Sequence, residues 1–223
     1  KGNTMKSAVC EMLDIEFPLL AFSHCRDVVA AVSRAGGMGV FGAVRYSPDQ
    51  LGEELAWIDD QCGGKPYGVD LIVPNRFEGK GEKRDTVDLV RNLPQSHHEF
   101  ISGVLQAHDI DGDALDEDEN GRLNFARNLE ESGAAEMLDV AFSFPIRLIA
   151  NALGTPPRVM IDQAKSRDVP VAALVGTSVH AVAQVAAGVD ILVAAGGEAG
   201  GHCGDISTMV LIPEVVSVAQ DTP

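Results

Sequence analysis

No stretch of the 223-residue sequence approaches the ~18 consecutive apolar residues of a membrane span, so no membrane partner is expected. Positive charge is scarce: 17 Lys and Arg stand against 33 Asp and Glu, a formal net charge of -16. That balance excludes nucleic acid and anionic membrane surfaces as natural partners, because neutralising phosphate needs clustered Lys and Arg. Cysteine is sparse as well. Cys10, Cys25, Cys62 and Cys203 lack the paired spacing that holds zinc or an iron-sulfur cluster, so no metal site is expected. So few cysteines in a chain of this size fit a reducing, cytoplasmic setting. The opening Lys-Gly-Asn-Thr-Met-Lys has no signal-peptide core, and Met5 reads as the native start.

What is present is apolar bulk arranged in a rhythm. With 45% hydrophobic residues the chain can bury a sizeable core, and residues 1–223 read as one domain. Short β-rich runs alternate with segments of helical period, the pattern of repeated βα units around a parallel sheet. Strands are expected at 17–22, 38–44, 67–73, 137–144, 169–175 and 189–194. Helices are expected at 26–35, 47–62, 157–166, 178–187 and 211–219. Ser47 should cap the second of these, with Pro48 in its first turn, and Leu51, Leu55 and Ile58 should face the core with Trp57 at their edge. Between 74 and 136 the rhythm fails, and this polar stretch reads as a partly helical insertion after strand 3, with 123–131 its best helix. The expected fold is therefore α/β, a (β/α)8 TIM barrel short of its last one or two βα units.

In such a barrel the chemistry gathers at the C-terminal ends of the strands. His24, His180 and His202 follow strands 1, 5 and 6, whereas His97, His98 and His108 fall in the insertion and read as solvated. The densest feature is the loop after strand 6, where Gly196, Gly197, Gly200, Gly201 and Gly204 surround Glu198 and His202. Backbone amides in such a loop can approach an anion or a flat ring, although composition alone allows an ordinary flexible loop equally well. The acidic run at 116–121 imitates a calcium loop, but its twelfth position is Arg127, so it reads as solvated acid.

The run Gly-Val-Asp-Ile-Leu-Val-Ala-Ala-Gly-Gly-Glu-Ala-Gly-Gly-His, 188–202, resembles the signature of the nitronate monooxygenase (2-nitropropane dioxygenase-like) family. Residues 30–43, 65–73 and 152–157 are similar to its first helix and second strand, its third strand and its strand-4 loop, in family order. The resemblance implies an FMN-dependent oxidoreductase, a nitronate monooxygenase-like enzyme that oxidises a small nitronate, nitroalkane or similar acidic carbon compound with O2. It makes His202 the base or polarising group near the flavin; apart from the resemblance, His180, in the first turn of a helix capped by Thr177 or Ser178, is a second catalytic candidate. It implies flavin contacts at Gly176, Thr177, Gly196, Gly200 and Gly201, and at Asp70, where the family commonly has Asn. Leu20-Ala-Phe-Ser-His24 stands in place of Gln-Ala-Pro-Met, and Ala195 in place of Gln, departures that bear on the substrate. The family's FMN phosphate site would lie past Pro223, so these residues alone should hold FMN weakly. A flavin-dependent NAD(P)H reductase, an acyl-thioester oxidoreductase and a catalytically silent binding module remain alternatives, and a homo-oligomer is left open.

Overall fold

A computed structural model describes residues 7–74, 94–110, 119–201 and 203–223, with 119–123 described by backbone alone. The six described strands are β1 (Leu20–Ser23), β2 (Met38–Gly42), β3 (Tyr67–Leu71), β4 (Leu148–Asn151), β5 (Val171–Val175) and β6 (Ile191–Ala194). They form a parallel sheet in sequential order. The described helices are α1 (Ala8–Leu13), α2 (Arg26–Arg34), α3 (Pro48–Cys62), α4 (Gln95–Ala107), α5 (Glu119–Asn128), α6 (Glu131–Ala141), α7 (Arg158–Lys165), α8 (Ser178–Ala187) and α9 (Thr208–Val218). Parallel neighbours need a long crossover, and the helices provide it.

Side chains alternate between the two faces of each strand, which divides the core in two. On the outer face Phe41, Tyr67, Val69, Ile149, Val171 and Ala173 pack against Val29, Leu51, Leu55, Ile58, Met137 and Met160 from the surrounding helices. On the inner face Met38, Val40, Leu148, Ala150, Ala172 and Ile191 meet Cys10, Leu13 and Ile15, so that α1 plugs the N-terminal end of the sheet. The sequence reading contains no α1. The inner face stays open toward the edges, where Leu20, Phe22 and Val193 are 36%, 57% and 39% exposed.

Local signals set most boundaries. Ser47 and Gln50 form a reciprocal capping box at α3, their side chains each accepting from the other's backbone N–H at 3.2 and 2.9 Å. Thr177 caps α8 by accepting from the His180 N–H at 3.1 Å. β1 begins three residues later than expected, and α9 begins three residues earlier.

One element is corrected. The strand expected at 137–144 is the second half of α6, and the fourth strand is Leu148–Asn151. Ala134, Met137, Leu138 and Ala141 recur at helical spacing, and all four are buried against the sheet and α3. α6 starts inside the stretch expected to be an insertion. The crossover ahead of it is anchored by buried Asn128, whose Nδ2 donates to the carbonyls of Val44 and Tyr46 at 2.8 Å each. Among the described residues no helix is long and apolar enough to cross a membrane.

Candidate active site

The rim at the C-terminal ends of the strands is built by three loop systems. The first follows β3 and β4. Asn151 is fully buried at the end of β4, where its Oδ1 accepts from the Val73 N–H at 2.8 Å and its Nδ2 donates to the carbonyls of Leu153 and Gly154. Gln184 on α8 also donates to Gly154, at 3.1 Å. One amide therefore ties the loops after two strands together, a role that the sequence reading does not assign to it. Its one signal was an amide closing an apolar strand.

Asp70 lies on β3 between outward-facing Val69 and Leu71, so its carboxyl faces inward, with Gly42 and Ala150 as its partners in the neighbouring strands. It is 9% exposed, and its Oδ1 has no hydrogen-bond partner among the described residues. Burial disfavours the charged form and pushes the carboxyl from its ordinary 3.8 up to about 7. A protonated carboxyl can donate as well as accept.

The loop after β6 is held by its acid. Glu198 accepts from both the backbone N–H and the hydroxyl of Thr208 at 2.8 Å, which satisfies the first turn of α9. Those bonds, the backbone one foremost, hold the carboxyl below its ordinary range. Gly196 lies directly against the same turn: a Cβ there would stand 2.4 Å from the Thr208 hydroxyl and 2.5 Å from its nitrogen. Glycine is thus required for close approach to α9, and that side of Gly196 is already occupied. Gly200 and Gly201, by contrast, have open space where a Cβ would stand. Gly176 faces Gly204 across the gap between the β5 and β6 loops. Thr177 spends its hydroxyl oxygen as the α8 cap, and His180 is exposed in the first turn of that helix. His202 lies outside the described residues; its loop is described on both sides of it.

The third histidine of the rim is the best defined. His24 Nδ1–H donates to the Gly42 carbonyl at 2.8 Å, and its ring meets Phe22 edge-on at 5.0 Å. The structure thus brings His24 beside the strand pair that carries Asp70, and sets Gly176 and Thr177 beside the Gly196–Gly204 loop. Two shallow concavities lie at the opposite end of the sheet, around Phe144, Arg147 and Arg167 and around Lys165, Asp168 and Asp190. Among the described residues no cluster could hold a metal ion, and no disulfide joins the cysteines.

A parallel α/β sheet with a plugged N-terminal end and a glycine-rich, polar C-terminal rim defines a half-barrel related to the TIM-barrel enzymes. The chain belongs to the nitronate monooxygenase family, whose profile matches residues 6–223. It is 47% identical over 220 residues to Mycobacterium tuberculosis Rv1533, a protein provisionally named a monooxygenase, covering 98% of this chain and 58% of that one. It is 26% identical over 230 residues to a Staphylococcus saprophyticus protein provisionally named a nitronate monooxygenase, covering 95% and 58%. Among known structures, a nitroalkane oxidase from Streptomyces ansochromogenes superposes with a TM-score of 0.69 at 22% identity, covering 97% of this chain and 59% of the other. FabK (M276A) from Thermotoga maritima gives 0.67 at 22%, covering 98% and 55%. At such identities the likeness concerns the fold. The chain spans 58% of the length of the curated relatives it matches.

Proposed function

We propose that this chain forms the greater part of a (β/α)8 barrel that binds FMN and oxidises small nitronates or nitroalkanes with O2. The observation that carries the reading is the orphaned carboxyl of Asp70, buried on the inner face of a nitronate monooxygenase-family sheet. A buried polar atom without a partner is costly unless a ligand completes it. A flat ring bearing hydrogen-bonding nitrogens and oxygens fits that face, with Leu20, Phe22 and Val193 offering apolar contact and the open backbone at Gly200 and Gly201 leaving room at its edge. The family's usual Asn is replaced here, but burial keeps the acid protonated well above its ordinary range, so Asp70 can still donate a hydrogen bond.

When bound, the flavin supplies the redox step, and the protein holds it and excludes side reactions. Asp70 would bond the ring system from β3. Gly176, Thr177, Gly196, Gly200 and Gly201 would line its border with backbone. His202, carried on the loop that Glu198 pins to α9, would serve as base or polarising group, with His180 as the second candidate. Closure of the barrel is supported at the β6 edge, where the Leu192 N–H already donates to the Pro223 carbonyl at 2.9 Å.

The test is an absorption spectrum and an oxygen-uptake assay on the purified full-length protein. Flavin bands together with nitronate-dependent O2 consumption are expected. A colourless protein would overturn the cofactor. Rapid flavin bleaching by NADH without nitronate turnover would move the activity to an NAD(P)H-linked reductase.

A further inference from the structure

Just past β1, at the opposite edge of the sheet from the strand that leads into the glycine-rich loop, the rim carries the imidazole of His24. A backbone carbonyl can only accept, so the 2.8 Å contact between His24 and Gly42 requires the hydrogen on Nδ1. Nε2 is then the nitrogen with the free lone pair. The ring's position follows from β2: Met38 and Val40 face inward, so Gly42, next in that alternation, faces inward too. A Cβ at Gly42 would come within 2.6 Å of the Phe22 ring and 2.8 Å of His24 Cε1. Both rings therefore lie over the inner face, in the space that the missing side chain leaves, at the C-terminal end where this architecture does its chemistry. The Tyr46 hydroxyl steadies the segment by donating to the His24 carbonyl at 3.2 Å, and the imidazole itself remains exposed. Held in this way, His24 presents one basic nitrogen on the same inner face, one residue past the strand that pairs with β2, whose Gly42 is the cross-strand partner of Asp70.

We propose that His24 is a catalytic residue that touches the substrate and takes the proton from its acidic carbon. This rests on the oxidoreductase reading above and deepens it by dividing the labour. The carbon–hydrogen bond breaks, its electron pair stays on the substrate and spreads onto the two nitro oxygens, and the proton becomes bonded to Nε2. The nitronate so formed is the species to be oxidised, and His202 is left the polarising role. A substrate delivered already as the nitronate does not need His24.

His24→Asn is the informative variant, because the Asn amide can keep the N–H bond to the Gly42 carbonyl while removing the basic nitrogen. In the flavin-loaded full-length protein, kcat/KM for neutral nitroethane should fall by at least about 100-fold, while that for preformed ethyl nitronate stays within about threefold. In the same protein, long-range proton–nitrogen NMR should find His24 protonated on Nδ1 and bare on Nε2. Equal loss on both substrates, unchanged turnover of nitroethane, a wild type that accepts nitronate alone, or a hydrogen found on Nε2 would each overturn the role of His24. Should the wild type oxidise neither compound, the oxidoreductase reading itself fails and His24 loses its substrate with it.

Discussion

Replacing Asp70 by asparagine removes a buried acid without changing its shape, and the consequence should be a stability difference that depends on pH. In the folded chain the carboxyl titrates at about 7 against 3.8 for the unconstrained group. The native state therefore holds this proton more tightly than the unfolded state across that window. Stability falls with rising pH wherever the native state binds more protons, so Asp70 weakens the fold progressively from about pH 4 to about pH 7 and by a constant amount above that. At about 1.4 kcal/mol for each tenfold change in proton affinity, the full effect is on the order of 4 kcal/mol. The amide of the Asp70→Asn variant does not titrate. Urea denaturation followed by the fluorescence of Trp57, which packs beneath Arg26 on α3, should give nearly matched stabilities near pH 4. The variant should then gain steadily on the wild type up to pH 7, with no further gain at pH 8. A difference that stays flat between pH 4 and pH 8 would refute the claim that burial controls this carboxyl.

Three further outcomes test the framework around the site. Asn151→Ala leaves the Val73 N–H unsatisfied inside the protein and frees the Leu153 carbonyl, Gln184 still donating to that of Gly154, and should cost about 1–3 kcal/mol by denaturation, with faster amide exchange in the loops after β3 and β4. Glu198→Ala should raise hydrogen exchange at the Thr208 amide and loosen the glycine-rich loop; because the Glu198 carboxyl is held below its ordinary range, the wild type should lose that protection only as pH falls below the ordinary carboxylate range, and a Thr208 amide equally protected in both proteins would count against the pin. Leu13→Ala removes the fully buried plug side chain of α1 and should destabilise by about 2–5 kcal/mol, measured by thermal or urea unfolding.

The elements that were legible in the sequence are those whose signals are local. Ser47, Pro48 and Gln50 announce the start of α3 within four residues, and the two-state alternation of strand and helix survives in β2, β3, β5 and β6. The misread strand shows where such reading ends. The apolar stretch from Met137 to Phe144 is short enough to fit either period, and what decides for helix is Ala134 three residues upstream, together with a place for the whole stripe against α3. The true β4, Leu-Ile-Ala-Asn, is buried on both faces and so carries no alternation to detect. α1 escaped notice for a different reason. Its Cys10 and Leu13, with Ile15 just past its end, form too short a pattern until the end of the sheet that they fill exists.

The site divides along the same line. Sequence alone determined the parallel α/β organisation and the family likeness, and set the expectation that His24, His180, His202 and the glycine-rich loop gather at the strand ends, because strand order and loop position follow from the chain's rhythm. Only the tertiary structure decided what those groups can do. Burial of Asp70 depends on strands 28 residues before it and 80 after it in the chain, namely the Gly42 and Ala150 partners. The free nitrogen of His24 depends on a carbonyl 18 residues away. Protonation and tautomer answer to the nearest polar atoms in space, and those atoms come from distant parts of the chain.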